Sequence, residues 1–232
     1  TPMIYLTGDT HIPIDIDKLS CKSFPEQREM TRSDYVIVLG DFGLLWKKDK
    51  TYDYWLDVLS KRTYTLLFLD GNHENFDWLD SLRVETWHGG RVHRIADNIL
   101  HLMRGEIFEI DGSTFFTLGG AVSYDKVFRA EGISWWPQER PSWADFSRGI
   151  ENLARHDNHV DYVLTHTAPA TILQVLRLYT SSWNSAADRS VENALQAIDN
   201  DIHYKGWYFG HWHLDFDYKR YHALYNRVVR IL

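Results

Sequence analysis

The sequence predicts an α/β fold in which two mixed β-sheets pack face to face, with helices on their outer surfaces. One observation is a pattern that recurs along the chain: a short apolar run, then Gly or Thr, then polar side chains. Helix-compatible stretches separate these runs, and such alternation favours right-handed crossovers and a largely parallel sheet. A central region of consecutive short strands adds antiparallel pairs, which indicates two sheets rather than one.

Each recurring apolar run has the length of a β-strand and is rich in β-branched or aromatic residues. Both features are typical of strands that are buried on both faces. The runs, with their polar endings, are MIYLTGDTH (3–11), YVIVLGD (35–41), TLLFLDGNH (65–73), DYVLTH (161–166) and GWYFGHWH (206–213). The stretches between the strands predict helices at 49–61, 75–82, 143–156 and 188–199.

The remaining segments carry weaker patterns. Residues 98–121 read as consecutive strands, and the Asp111-Gly112 pair predicts the turn of an antiparallel hairpin. The C-terminal stretch 213–232 looks similar, with Asn226 as its turn residue. The Trp-rich segment 123–141 has no periodicity and is predicted to be a long loop, a kind of segment that often carries function.

Length and charge limit the classes of protein that fit. The 232 residues favour one domain, spanning 1–232. The net charge is −7 and no basic run is present, so the sequence gives no strong signal for nucleic-acid binding. The 10 Trp and 13 Tyr fit either a surface for stacking contacts or an aromatic core.

Three features predict a cytoplasmic protein without a membrane anchor. Cys21 is the only cysteine, so an internal disulfide cannot form. No apolar run reaches the roughly 18 residues that a membrane span needs. The N-terminal residues lack the basic and apolar regions of a secretory signal. The sequence carries no signal for a particular oligomeric state.

The polar endings of the five strands predict a metal site. In open α/β sheets, ligands bind beyond the carboxyl ends of the parallel strands. Imidazole and carboxylate without thiolate suit Mn, Fe or Zn, and six or seven ligands are enough for two ions about 3.5–4 Å apart. A single such ending is usually a turn or a cap, but five compatible endings favour metal binding. The residues concerned are Asp9, His11, Asp41, Asn72, His73, His166, His211 and His213.

These motifs resemble those of the calcineurin-like metallophosphoesterases. The matching motifs are Asp9-x-His11, Gly40-Asp41, Gly71-Asn72-His73-Glu74, Thr165-His166 and Gly210-His211-x-His213, in the order and spacing of that family. The resemblance covers residues 9–213. It implies a four-layer α/β/β/α sandwich with a dinuclear metal site at the carboxyl ends of the strands.

The resemblance also implies a role for each motif residue. Asp9, His11 and His213 look like ligands of one metal, whereas Asn72, His166 and His211 look like ligands of the other, with Asp41 bridging both. His73 resembles the histidine that contacts substrate and protonates the leaving oxygen. The implied reaction is hydrolysis of a phosphate ester by a metal-bridging hydroxide. We expect two divalent ions, Mn first, with Fe, Zn, Mg or Ni as alternatives.

The chain departs from one branch of this family. Phosphoprotein phosphatases continue the second motif as GDxxDRG, in which the Asp supports the catalytic His and the Arg holds phosphate. Here the stretch is GDFGLLW (40–46), so both side chains are missing. This counts against a protein Ser/Thr phosphatase and leaves open which residue orients His73.

The substrate is the least determined part of the prediction. Within 132–143, Trp135 or Trp136 could stack on a base or aryl group, and Arg140 could bind a phosphate. The alternative is an aromatic segment docked on the sheet or on another subunit. We expect a phosphodiesterase acting on small or nucleotide-type diesters. A broad-specificity phosphomonoesterase is the main alternative, and a noncatalytic scaffold is disfavoured because every motif residue is present.

Overall fold

The computed structural model describes residues 1–180 and 183–232. Its first sheet has seven strands in the spatial order β13-β1-β2-β3-β6-β5-β4, and its second has six in the order β11-β12-β10-β9-β8-β7. The strands of the first sheet are β1 (Ile4–Thr7), β2 (Tyr35–Val38), β3 (Thr65–Phe68), β4 (Val84–Trp87), β5 (Gly90–Ala96), β6 (Ile99–Leu102) and β13 (Val228–Arg230). Those of the second are β7 (Glu106–Ile110), β8 (Ser113–Leu118), β9 (Tyr162–Thr165), β10 (Gly206–Phe209), β11 (Phe216–Tyr218) and β12 (Tyr221–Ala223).

Both sheets have a parallel centre and antiparallel edges. In the first sheet β1, β2, β3 and β6 run parallel, and Thr7 pairs with Val38, which pairs with Phe68. In the second sheet β8, β9, β10 and β12 run parallel, and Thr165 pairs with Phe209. Because these partners are the last residues of their strands, the strands end in the same row. The loops that follow therefore begin side by side.

Five α-helices cover the outer faces of the sheets in the described part of the chain. They are α1 (Lys50–Ser60), α2 (Phe76–Asp80), α3 (Trp143–Arg155), α4 (Ala170–Leu176) and α5 (Ser190–Asp201). The Asp49 side chain caps α1 by accepting from the backbone N–H of Thr51 and Tyr52, at 2.9 and 3.1 Å. Ser142 and Asp145 form a capping box that starts α3. Among the helices of the described residues, none is long and apolar enough to cross a membrane.

Three apolar clusters hold the layers together. Between the sheets, residues such as Leu6 and Leu67 pack against Phe108 and Leu164 of the opposite sheet. The outer face of the first sheet packs against α1 and α2, and that of the second against α3, α4 and α5. Since each parallel strand buries both faces, it needs the continuous apolar runs that the sequence shows. The four-layer α/β/β/α arrangement is confirmed.

Two turns test the predicted antiparallel hairpins. Asp111 and Gly112 connect β7 and β8 with φ of 51° and 76°, which confirms the predicted hairpin turn. The prediction for Asn226 was wrong. The C-terminal hairpin of β11 and β12 turns at Lys219, whose φ is 54°. Asn226 lies where the chain passes from the second sheet to the first, where β13 pairs with β1.

The structure also contains elements that the sequence did not indicate. The seven-residue helix α4, which begins directly after Pro169, was not predicted. The predicted helix at 75–82 is present but shorter, as the five-residue helix α2. The hairpin of β4 and β5 was missed as well. β4 alternates exposed and half-buried residues, so it lacks a continuous apolar run.

Candidate metal centre

The loops after five parallel strands bring the predicted ligands together. β1, β2 and β3 end in one row of the first sheet, and β9 and β10 end side by side in the second. The side chains that follow these ends meet in one cluster at this edge. The cluster contains all seven predicted ligands and His73: Asp9, His11, Asp41, Asn72, His73, His166, His211 and His213.

Asp41 lies at the centre of this cluster and is 1% exposed. Its Oδ1 is 3.5 Å from Nε2 of His166 and accepts from the backbone N–H of His73 at 2.7 Å. Its Oδ2 is 3.3 Å from Nε2 of His11. The two carboxylate oxygens thus face two different groups of side chains, which is the arrangement that a bridging carboxylate needs.

The first group consists of Asp9, His11 and His213, whose potential ligand atoms all lie within 4.8 Å of one another. Nε2 of His213 is 3.1 Å from Oδ2 of Asp9, and Nε2 of His11 is 3.7 Å from the same oxygen. Asp9 is fully buried, whereas the His213 side chain is 48% exposed. This group therefore opens toward solvent on one side.

The second group is buried and contains Asn72, His166 and His211. Nε2 of His166 is 3.0 Å from Oδ1 of Asn72, while its Nδ1 donates to the carbonyl of Leu39 at 2.7 Å. A carbonyl that fixes one ring nitrogen turns the other toward the site, as is usual for histidine ligands of metals. The ring of His211 is 5.0 Å from that of His166. Asp9, Asp41 and His166 also have ligand atoms within 4.8 Å of one another.

The electrostatics of the cluster favour cations. Burial opposes the charge of Asp41, but His166 and His11 outweigh it and hold the pKa of this carboxyl well below its usual value. Burial likewise opposes a charged His166, yet Asp41 and Asp9 raise its pKa to about 10. For His211, burial together with His166 lowers the pKa to about 3, so this imidazole is neutral and available as a ligand. Two carboxylates that stabilise a positive charge on a neighbouring imidazole this strongly also attract metal ions.

The backbone at the site adopts conformations that side chains other than Gly rarely take. His11, Asp41, His211 and His213 have φ of 36°, 47°, 65° and 51°. The left-handed region is uncommon for these residues and persists only where the surrounding structure holds it. Four of the predicted ligands are therefore oriented by a strained backbone conformation.

The glycines of the motifs provide space for ligand side chains. A Cβ on Gly71 would lie 2.0 Å from Oδ1 of Asp41, and one on Gly210 would lie 2.3 Å from Oδ1 of Asp9. Gly40 combines a φ of 93° with a Cβ position 2.1 Å from Nδ1 of His166. The glycine that separates a strand from its ligand is therefore needed chiefly because the neighbouring ligand occupies the place of a side chain.

A comparison with protein families identifies the family of the chain. The family model of the calcineurin-like phosphoesterases matches residues 2–215. The chain belongs to this family. Membership in the calcineurin-like phosphoesterases supports metal-dependent hydrolysis of phosphate esters, and it confirms the resemblance seen in the motifs. A comparison with curated proteins finds no match.

The predicted substrate contacts of this calcineurin-like phosphoesterase are not among the described residues that line the cleft at the cluster. Trp136 is 3% exposed, packs edge-on against Trp46 with ring centroids 5.5 Å apart, and donates from Nε1 to Asp77 at 2.8 Å. Trp135 is half-buried under Lys126, and Arg140 pairs with Asp188. Their role in substrate binding stays a prediction. The docked position of Trp136 agrees with the alternative that this segment packs on the body of the protein.

A different set of residues lines the cleft at the cluster, which encloses about 240 Å³. Tyr124 and Asp125 come from the Trp-rich segment, and Trp212 lies between two predicted ligands. The lining described here is Asp41, Asn72, His73, Ser123, Tyr124, Asp125, Thr180, His211, Trp212 and His213. Thus the Trp-rich segment does reach the cleft, but through its first residues.

Sequence reasoning missed several residues that support the site. Asp15 lies 2.7 Å from Nδ1 of His11 and fixes that ring. The buried Glu74 accepts from the backbone N–H of Phe42 at 2.8 Å and thereby ties the GNHE motif to the GD motif. Burial, with Asp41 adding to it, raises the pKa of Glu74 to about 8. Glu74 belonged to a quoted motif and had a signal, whereas Asp15 had only its four-residue spacing from His11.

Proposed function

We propose that the protein is a phosphodiesterase that hydrolyses small or nucleotide-type diesters at a dinuclear metal centre. The observation that carries the proposal is the position of Asp41, whose two oxygens face two groups of imidazole and carboxylate ligands. In the described part of the chain, no Lys or Arg side chain bonds to the carboxylates of Asp9 or Asp41. A donor set of two carboxylates, four imidazoles and one amide, without thiolate, fits Mn, Fe or Zn.

The residues divide between two ions as follows. Asp9, His11 and His213 would hold the first, Asn72, His166 and His211 the second, and Asp41 both. Two divalent ions bound here would lower the pKa of a water and offset the negative charge of the phosphoryl group. The protein supplies the fixed positions of the ligands, since His166 is held by Leu39 and His11 by Asp15.

His73 is the proposed general acid. It lines the cleft beside Asn72 and His211, and its backbone N–H is fixed by Asp41. Burial lowers the pKa of the His73 imidazole, and Asp41 partly offsets this effect. The ring contacts the Asn72 amide, with 3.1 Å between Nε2 and Nδ2, which orients it without the carboxylate of the GDxxDRG motif. Proton donation to the leaving oxygen by such a group typically contributes about 100- to 10,000-fold.

The cleft favours a diester over a monoester. No Lys or Arg is among its described lining residues, so a monoester dianion would meet no fixed cation of the protein. A diester carries one charge fewer, and its second substituent can rest against Tyr124 and Trp212.

Arg129 supports the second candidate, a broad-specificity phosphomonoesterase. Its Nε donates at 2.8 Å to Asp125, which lines the cleft, and its charge adds to burial in lowering the pKa of His73. An Arg129 that exchanged Asp125 for a terminal phosphate would suit a monoester.

The test is hydrolysis of bis(p-nitrophenyl) phosphate compared with p-nitrophenyl phosphate, after chelation and titration with Mn²⁺. We expect faster turnover of the diester and its loss in Asp41→Asn. His73→Ala should keep both metal ions and lose about 100- to 10,000-fold in turnover. Preference for the monoester would support the second candidate. A protein that binds two ions and hydrolyses neither compound would contradict both.

A further inference from the structure

The Trp-rich segment contacts the metal centre through a buried chain of hydrogen bonds. Nδ2 of Asn72 donates to Oγ of Ser123 at 2.9 Å, and this hydroxyl donates to Oε2 of Glu139 at 2.6 Å. The backbone N–H of Ser123 donates to the other carboxylate oxygen, Oε1, at 2.8 Å. Asn72, Ser123 and Glu139 are 4%, 3% and 2% exposed, so water does not compete for these groups.

We propose that Glu139, acting through Ser123, is a positioning residue that fixes the orientation of the Asn72 amide so that its oxygen faces the metal centre. This inference rests on the proposed function, because Asn72 is one of the proposed ligands. A carboxylate only accepts hydrogen bonds, so the Ser123 hydroxyl must donate to it. The Ser123 oxygen is then left as an acceptor, and only the NH₂ end of the Asn72 amide can satisfy it.

Two other contacts agree with this orientation. The Asn72 Nδ2 atom is also 3.1 Å from Nε2 of His73, which uses the second hydrogen of the amide. On the other side, Oδ1 of Asn72 is 3.0 Å from Nε2 of His166. The amide oxygen therefore lies on the side of the His166 ligand, as metal coordination requires, and the NH₂ group points away from it.

Glu139 is held in a way that a purely structural role does not explain. Its backbone carbonyl accepts from the N–H of Ala121 at 3.1 Å and from Nη2 of Arg104 at 3.3 Å. Those bonds already anchor the segment without the side chain. Among the described residues, the carboxylate bonds to Ser123 alone and has no cationic partner. Burying a carboxylate costs free energy unless its oxygens accept hydrogen bonds. Here the negative charge also sets the direction of the hydrogen bond from Ser123.

The inference predicts that an isosteric change of Glu139 weakens metal binding more than the truncation of Ser123 does. In Glu139→Gln, the amide oxygen can keep the N–H of Ser123, but its NH₂ group then donates to the Ser123 hydroxyl. The Ser123 hydroxyl then has no acceptor at position 139 for its own hydrogen. Turning this hydrogen toward Asn72 favours a flipped amide with NH₂ on the metal side. Ser123→Ala only removes one partner of Asn72 and leaves the contact with His73.

The test is calorimetric titration of Mn²⁺ into the metal-free protein and its variants. We expect the wild type to bind two ions. One of the two should bind about 10-fold more weakly in Ser123→Ala and more weakly still, up to about 100-fold, in Glu139→Gln. Ser123→Thr keeps the hydroxyl and should restore the affinity, and Glu131→Gln on the same segment is the matched control. Thermal unfolding of the metal-free forms verifies that the variants fold.

The outcomes separate the inference from the proposed function. If the wild type binds two ions and Glu139→Gln binds both with unchanged affinity, the positioning role is wrong. If Glu139→Gln is affected less than Ser123→Ala, Glu139 does not set the direction of the hydrogen bond. If the wild type binds no Mn²⁺, the dinuclear centre itself fails, and the inference fails with it.

Discussion

Two clusters of histidine and acidic side chains lie near the end of β3. They differ in which groups offset the negative charge of their carboxylates. One is the proposed metal centre around Asp41. The other, which we name the Asp70 cluster, consists of Asp70, His93, His101 and Arg104. Asp70 is 1% exposed and accepts from Nε2 of His101 at 3.0 Å and from Nε of Arg104 at 2.8 Å. Burial opposes the charge of Asp70, but Arg104 and His101 hold its pKa far below the usual value.

The difference shows what makes one cluster a candidate for metal binding. In the Asp70 cluster, Arg104 supplies a permanent positive charge, and each hydrogen bond joins two protein groups. In the metal centre, Asp9 and Asp41 face imidazoles that can either hold a proton or coordinate an ion. Residue type alone does not separate the two clusters, because both contain Asp and His. The presence or absence of a permanent internal cation does, because an imidazolium can give up its proton to bind a metal ion whereas Arg104 cannot.

The largest expected effect comes from removing the central carboxylate of the metal centre. Asp41→Asn keeps the shape of the side chain but removes the charge shared by the two ligand groups. We expect calorimetric titration with Mn²⁺ to show the loss of at least one of two ions, and diester hydrolysis to fall to the uncatalysed rate. Mn²⁺ should then raise the melting temperature less than it does in the wild type.

Asp57→Asn is the matched control, since Asp57 lies on α1 with its side chain 61% exposed. This variant should bind and hydrolyse like the wild type. An Asp41→Asn protein that still bound two ions with wild-type affinity would show that the cluster does not depend on a bridging carboxylate, and the contrast with the Asp70 cluster would lose its basis.

The Asp70 cluster should respond to the loss of its internal cation with instability. Arg104→Met would leave the buried Asp70 with His101 but without its permanent cation, and removing one partner of a buried ion pair typically costs about 3–5 kcal/mol. Denaturant unfolding of the metal-free protein measures this loss. Arg148→Met, on a side chain that is 45% exposed, should change stability little.

A second substitution sharpens this prediction. Adding Asp70→Asn to Arg104→Met removes the buried charge that has lost its cation and should recover part of the lost stability. Recovery is incomplete because Arg104 also donates from Nη2 to the carbonyl of Gln138 at 2.8 Å. Equal stability of Arg104→Met and the wild type would mean that Asp70 does not need its cation, contrary to the comparison.

The sequence predicted the elements of the proposed metal centre better than those of the Asp70 cluster. The strands that carry the motifs were found because a parallel strand buried on both faces leaves a continuous apolar run. Their endings could be placed at one edge because parallel strands in register end together. The hairpin of β4 and β5, which carries His93, has no such run, and the short helix α4 follows Pro169 without a periodic pattern.

The supporting residues could not be read from local patterns. Ser123 bonds to Asn72 across 51 positions of sequence, and Arg104 bonds to Asp70 across 34. Such pairs depend on how the two sheets and the Trp-rich segment pack. The positive φ of four predicted ligands is also a property of the folded chain. Motif spacing therefore indicates which residues meet, whereas their orientation and charge balance require the structure.

The smallest expected effect is a pH dependence that belongs to the Asp70 cluster. His93 is 3% exposed, and its Nδ1 is 3.0 Å from Nδ1 of His101. Burial, with the His101 ring adding to it, lowers the pKa of His93 from 6.5 to about 4. As the pH falls, the unfolded chain takes up this proton near 6.5, before the folded chain does. The contribution of His93 to stability is therefore lost between pH 6.5 and about 4, by at most about 1.4 kcal/mol per pH unit.

Denaturant unfolding of the metal-free protein at several pH values in this window measures the effect. His93→Phe should flatten the slope, and His156→Gln, an exposed histidine at the end of α3, should leave it unchanged. Asp70 does not contribute here, because its pKa is already low in the folded state and its stabilisation is lost only below the unfolded value of 3.8. His211 adds a slope of the same sign and Glu74 one of the opposite sign, but both groups are present in all the proteins compared and cancel in the comparison. Parallel curves for His93→Phe and the wild type would contradict this prediction. They would show that His93 takes up its proton in the folded protein as readily as in the unfolded chain.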